Sequence, residues 1–191
     1  AVANEGYYYT PHIIKKIEGQ KIDKKYTTKH YTTIDKRHFK PMIQGLFDVY
    51  NYGTAAGLRV EGIDICGKTG TAENFAKING KRTQLEDHSI FVAFAPKDNP
   101  KIAIAILVEN GGFGSTIAGP IASLMIEKYR RGKISRTDLE KRTMERSLQD
   151  RYAKLGGLSE VVKKEMRKKD SIAKSKIVVP KVKIDTTKKN N

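Results

Sequence analysis

The sequence predicts an α/β fold in the broad sense, an antiparallel sheet with helices packed on it. Three observations carry this. Two apolar, strand-length runs, residues 88–96 (His-Ser-Ile-Phe-Val-Ala-Phe-Ala-Pro) and 101–109 (Lys-Ile-Ala-Ile-Ala-Ile-Leu-Val-Glu), are joined by the short turn 97–100 and make the clearest hairpin in the chain. A run with apolar residues at helical spacing precedes them: Phe39, Met42, Ile43, Leu46, Phe47 and Tyr50. A second follows them: Ile117, Ile121, Leu124, Met125 and Tyr129.

Along the chain, residues 7–14 are aromatic and β-branched with Pro11 among them, which predicts an edge strand or extended segment. Residues 15–33, rich in Lys and Thr, read as loop. Thr33 is placed to cap a helix over 34–51 with Asp35 in its first turn. Pro41 inside the pattern moves the predicted start toward Pro41 itself, at the first helical position. Residues 58–66 read as a strand broken by Gly62, continuing through Gly67-Lys-Thr-Gly-Thr-Ala-Glu73, and Asn79-Gly80 is a turn signal. Gly111-Gly-Phe-Gly114 reads as a flexible loop. Ser115 or Thr116 then caps a helix over 117–131 that ends at Gly132. A charged helix over 136–155, capped by Ser135 or Thr137, and a short basic helix over 158–169 complete the elements. Residues 171–191 read as disordered.

Charge divides the chain. Residues 1–126 hold 16 Lys+Arg and 12 Asp+Glu, whereas residues 127–191 hold 21 and 9, so most of the net charge of +16 belongs to the C-terminal third. Such a tail fits an anionic partner (nucleic acid, anionic lipid or an acidic polymer), but its composition favours a solvated, disordered end. The domain reading is therefore a body over 1–132 and a basic tail over 133–191. No apolar run approaches the roughly 18 residues of a membrane span, and the first residues have neither a basic nor an apolar signal region. The absence of an initiator Met predicts that the chain begins inside a longer protein. The single cysteine, Cys66, has no partner for an internal disulfide and reads as a small buried hydrophobe. His12, His30, His38 and His88 lack metal-ligand spacing and read as structural or exposed, although His88 opens a strand near the motif described next.

That motif is Gly67-Lys68-Thr69-Gly70-Thr71-Ala72-Glu73, and it has two readings. Gly62 to Thr69 formally fits the phosphate-binding pattern G-x-x-x-x-G-K-[ST]. The intervening Ile-Asp-Ile-Cys is strand-like, and no helical period follows Thr69, so nucleotide binding is a minor alternative. The other reading is the Lys-Thr-Gly element of serine acyl-transfer enzymes. A lysine and two hydroxyls on an edge strand suit a peptide carboxylate, and Gly70 lets the substrate approach the backbone closely. A backbone N–H just past it suits an oxyanion hole.

The surroundings favour the second reading. The motif, the strand at 88–96, the run from Ile102 to the glycines at 111–112, and Gly119-Pro-Ile-Ala122 closely resemble class B penicillin-binding proteins. Residues 4–13 and the Cys66 before the motif are most similar to the elongation-type penicillin-binding protein 2 group in its Bacteroidetes form. The resemblance covers about 1–132. It implies a partial penicillin-binding transpeptidase (serine β-lactamase-like) fold, with the three strands as the third to fifth of five. It implies that Lys68 is catalytic, binding substrate and supporting proton transfer, and that Thr69, Gly70 and Thr71 bind substrate, with Thr69 and Thr71 holding its terminal carboxylate. The Thr71 N–H becomes an oxyanion donor.

The implied partners are a stem peptide ending in D-Ala-D-Ala, β-lactams and proteins of the cell-elongation machinery, with no cofactor, no metal and no nucleic acid. The implied location is the inner membrane, with the catalytic domain periplasmic. The nucleophile is absent. Ser-x-Asn does not occur, and the one Ser-x-x-Lys, Ser171 to Lys174, lies in the polar tail after Lys68. The chain alone is therefore expected not to turn over substrate. A basic binding module acting through the tail remains the alternative from a different class.

Overall fold

The computed structural model describes residues 1–153 apart from Lys15 and Asn79. The predicted basic helix at 158–169 and the tail at 171–191 lie outside the described residues.

The central sheet has three antiparallel strands in the order β3 (Cys66–Ala72), β6 (His88–Ala95), β7 (Ile102–Val108). β6 and β7 are the expected hairpin, with Phe91 opposite Ile106. Strand period places alternate side chains on opposite faces. On one face Phe91, Ala93 and Ala95 pack against Ala118, Ala122 and Ile126 of α2 (Ala118–Arg131), together with Tyr50, Leu58 and Ile65. On the other, Cys66 and Phe94 meet Phe39 and Ile43 of α1 (Phe39–Asn51). That second face is incompletely covered, since Val92 and Leu107 are 45% and 60% exposed.

Two short ribbons flank the sheet. β1 (Tyr7–Tyr9) pairs with β2 (Lys29–Tyr31), and β4 (Phe75–Ile78) pairs with β5 (Lys81–Gln84). The strand expected over 7–14 thus stops at Tyr9, just ahead of Pro11, which has no N–H for a ladder. Its partner Lys-His-Tyr lies in what reads as loop. The strand expected over 58–66 is replaced by a 3-10 turn at Ala56–Leu58 and an isolated bridge between Val60 and Ile63, and β3 begins only at Cys66.

Helix starts also differ from expectation. Asp35, not Thr33, caps: its Oδ1 accepts from Arg37 N at 2.9 Å, opening a 3-10 turn at Lys36–His38 that leads into α1 at Phe39. Pro41 is then the third helical residue, where no intrahelical N–H is required. Neither Ser115 nor Thr116 caps α2; Thr116 Oγ1 donates back to Phe113 O at 2.7 Å. The Ala118 N–H instead donates to Ser89 Oγ on β6 at 3.1 Å. Gly132 ends α2 as expected, at φ 74°.

The helix predicted over 136–155 is two helices, α3 (Thr137–Met144) and α4 (Gln149–Ala153). Ser147 accepts from Gln149 N at 3.2 Å, a side-chain alternative to the continuing helix. Neither Ser135 nor Thr137 caps α3. Residue Arg136 occupies that place, and its guanidinium is engaged by Glu127.

Candidate active site

β3 carries the motif at mid-strand. Its only strand neighbour among the described residues is β6, so its other edge carries no ladder partner. The register sets Lys68 opposite Val92, Thr69 opposite Phe91, Gly70 opposite Ile90 and Thr71 opposite Ser89. Thr69 and Thr71 consequently share the face occupied by Phe91 and α2, and Lys68 and Gly70 share the other. The lysine and the two hydroxyls do not lie on one face; they converge only on a group lying along the open edge. A strand running through Lys68 and Thr69 with no helix after it is incompatible with a phosphate-binding loop.

Each motif residue has a distinct environment. Lys68 is exposed, and its Nζ donates to Thr69 O at 2.7 Å. Among the described residues no carboxylate lies within ion-pair distance of it. Thr69 is half-buried, with Oγ1 3.2 Å from Thr54 Oγ1. Thr71 is exposed.

Backbone packing fixes the strand. At Gly67 an added Cβ would lie 2.9 Å from Phe91 Cζ and 3.2 Å from Tyr50 Cδ2. Gly114 lies against Gly70: its Cβ position is 2.6 Å from Gly70 O and 2.2 Å from Ile90 O. Gly111 is as tight, 2.6 Å from Ser89 Cβ. The segment that reads as a flexible glycine loop is therefore packed onto the motif. Its glycines serve close approach, a role that composition alone does not distinguish from mobility.

Other candidate groups are committed to structure. The first serine of the chain is Ser89. It is fully buried, donating to Phe113 O at 3.0 Å while accepting from Ala118 N. Ser123 is likewise buried and donates to Leu58 O at 2.7 Å. Cys66 is buried as expected, with Sγ 3.6 Å from Ile43 O, and burial pushes its thiol up to about 11. His88 Nδ1 accepts from Asn110 N at 3.1 Å. A concavity of about 540 Å³ is lined by residues 11–26 and shares no residue with β3. The motif lies on an open strand edge, and the chemistry argues for that edge over the larger hollow.

The family model of the penicillin-binding protein transpeptidase domain matches residues 1–127. The chain belongs to this family. Relatives of this chain include the peptidoglycan D,D-transpeptidase MrdA of Haemophilus influenzae, 31% identical over 67% of this chain and 22% of that protein. The MrdA of Acinetobacter baumannii is 36% identical over 61% of this chain and 19% of that protein. Among solved structures, penicillin-binding protein 2 of Pseudomonas aeruginosa aligns with a TM-score of 0.52 at 29% identity, covering 71% of this chain and 29% of that one. An imipenem acyl-enzyme of penicillin-binding protein A from M. tuberculosis aligns with the same TM-score at 25% identity, covering 68% and 28%. The chain thus spans about a fifth of the length of the curated relatives it matches. The fold expected from the resemblance is the fold found, in part.

Proposed function

We propose that this chain supplies the substrate-binding strand of a peptidoglycan D,D-transpeptidase that cross-links cell-wall stem peptides through an acyl-serine intermediate. The single observation that carries the reading is the placement of Lys68-Thr69-Gly70-Thr71 on an unpaired strand edge in a chain of the transpeptidase family. A peptide ending in D-Ala-D-Ala lies along that edge. Thr69 and Thr71 hold its terminal carboxylate by hydrogen bonds, and the Lys68 ammonium supplies the opposite charge. Gly70 leaves room for the peptide backbone, and the Thr71 N–H donates to the carbonyl oxygen as it gains charge.

The serine comes from a Ser-x-x-Lys segment outside this chain. Its Oγ attacks the penultimate D-Ala carbonyl, an ester forms, and the terminal D-Ala leaves as a free amine after proton transfer supported by Lys68. The amine of a second stem peptide then attacks the ester, forming the cross-link and releasing the serine. β-Lactams acylate the same serine, a reading supported by the imipenem acyl-enzyme of the M. tuberculosis penicillin-binding protein A. On this reading the partner is the cell-elongation machinery and the catalytic domain is periplasmic, held at the inner membrane; the likeness to the MrdA peptidoglycan D,D-transpeptidases supports the role in wall synthesis.

The test is Lys68→Ala in a protein that joins this chain to its Ser-x-x-Lys and Ser-x-Asn segments. The rate of acylation by a fluorescent penicillin falls at least tenfold with the melting temperature kept, because Lys68 is exposed. An unchanged rate removes Lys68 from the site.

A further inference from the structure

The family match ends at residue 127, yet the chain beyond it returns to the site. After Gly132, residues 135–152 run back past both ends of α2. At the C-terminal end, Arg136 Nε donates to Glu127 Oε2 at 2.9 Å, its NH2 to Ser123 Oγ at 2.7 Å and its NH1 to Leu58 O at 3.0 Å. Just before the N-terminal end, Arg146 NH1 donates to Thr116 O at 2.5 Å. α2 has 14 residues, so the segment crosses roughly 21 Å at 1.5 Å per residue. It ends on the loop that joins β7 to α2. There Arg151 NH1 donates to Asn110 O at 2.9 Å and pairs with Glu86 at 3.4 Å, and Tyr152 Oη donates to Glu109 O at 3.2 Å.

Asn110 is the junction. Its N–H donates to His88, the residue opposite Ala72 at the end of β3. Its Oδ1 accepts from Asn74 Nδ2 at 2.8 Å, two residues past that strand. It holds a left-handed φ of 53°, a conformation asparagine takes more readily than other non-glycine residues. Four residues on, Gly114 packs onto Gly70. β3 has a ladder on one side only, so its position depends on what lies against its faces, and this loop lies against the motif.

We propose that residues 135–152 form a strap that holds the loop at 109–116 and through it the Gly70–Ala72 end of β3, with Arg151 as a positioning residue for acyl transfer. The proposal rests on reading β3 as the acyl-transfer strand. The strap reaches the motif from behind, through Asn110 and Gly114, and its arginines touch none of the motif residues themselves.

The experiment compares Arg151→Ala, Arg151→Lys and Tyr152→Phe in the protein that carries the Ser-x-x-Lys segment. Hydrogen exchange is followed in peptides covering 66–74, 109–116 and 39–51, alongside penicillin acylation at subsaturating and saturating concentration. Arg151→Ala is expected to speed exchange at least fivefold in 66–74 and 109–116 and to leave 39–51 unchanged. The saturating acylation rate falls at least fivefold, with little change in half-saturation. Arg151→Lys recovers part of the loss, because an ammonium reaches Asn110 O without spanning to Glu86. Tyr152→Phe, which deletes one hydroxyl, gives a smaller change of the same kind and serves if Arg151→Ala does not fold. Unchanged exchange at 66–74, exchange that rises equally at 39–51, or faster exchange at 66–74 with unaltered acylation would each overturn the strap. If Lys68→Ala leaves acylation intact, the reading of β3 fails, and the strap's hold on 66–74 is still measured by exchange.

Discussion

At Gly67 the backbone of β3 passes against the ring of Phe91, and Tyr50 closes the other side, so a methyl group there has no void to enter. Both rings are fully buried, and neither has a free rotamer to retreat to. Gly67→Ala is expected to lower stability by about 1–3 kcal/mol, the usual cost of overpacking, read from denaturant midpoints. Lys68, one residue on, is exposed, and on the proposed reading its replacement is expected to slow acylation with little effect on stability. Residues of this kind, Lys68, Thr69, Gly70 and Thr71, are legible in the sequence because they form a contiguous motif. Thr54 against Thr69, and Gly114 against Gly70, are not. They come from 15 and 44 positions away in the chain, and no local pattern marks a distant backbone that packs at van der Waals distance.

The elements follow the same division. α1, α2 and the β6–β7 hairpin were readable because their apolar periods are long and agree with their burial. β1 was readable but was expected to run on to residue 14, and β4–β5 was marked only by its Asn79-Gly80 turn signal; β2 and the break between α3 and α4 were not readable, being short, polar or set by side-chain capping. The end of α2 was fixed by one residue. Gly132 stands at φ 74°, and nothing lies within 4 Å of its Cβ position. Gly132→Ala therefore costs only backbone strain, about 1 kcal/mol, measurable as a shifted urea midpoint with unchanged slope. Gly132 also begins the turn into the strap.

The α2 end carries a buried ionic cluster, and its pH response belongs to the same element. Burial alone would raise the Glu127 carboxyl. The Ser135 hydroxyl and N–H and the Arg136 guanidinium outweigh it and hold the group below the usual carboxylate range. A carboxyl depressed in the folded state contributes stability above its unfolded pKa, about 4.3, and loses that contribution as pH falls through the folded value. Melting temperatures should accordingly hold steady from pH 7 to about 5 on this account and decline below about 4.3. Glu127→Gln should be less stable at neutral pH, with a shallower acid limb.

On the proposed reading, the whole molecule carries one part of a shared site. Among the described residues the sheet has an edge without a ladder partner at β3, the strand proposed to bind substrate, and a face exposed at Val92 and Leu107, and the sequence holds no Ser-x-Asn. Of the basic tail, Arg136, Arg146 and Arg151 hydrogen-bond to carbonyls and Arg136 also pairs with Glu127, while most of the tail read as a basic binding module lies outside the described residues. The central claim is that this chain provides the substrate strand and another segment provides the nucleophile. Peptide mapping by mass spectrometry after penicillin treatment tests it most directly, on the 191-residue chain and on the protein that joins it to a Ser-x-x-Lys segment. The account predicts one penicilloyl adduct on the serine of that segment, formed slowly when Lys68 is alanine, and none on the 191-residue chain. A stable adduct on any serine from Ser89 onward in this chain, or none in the joined protein, would contradict it.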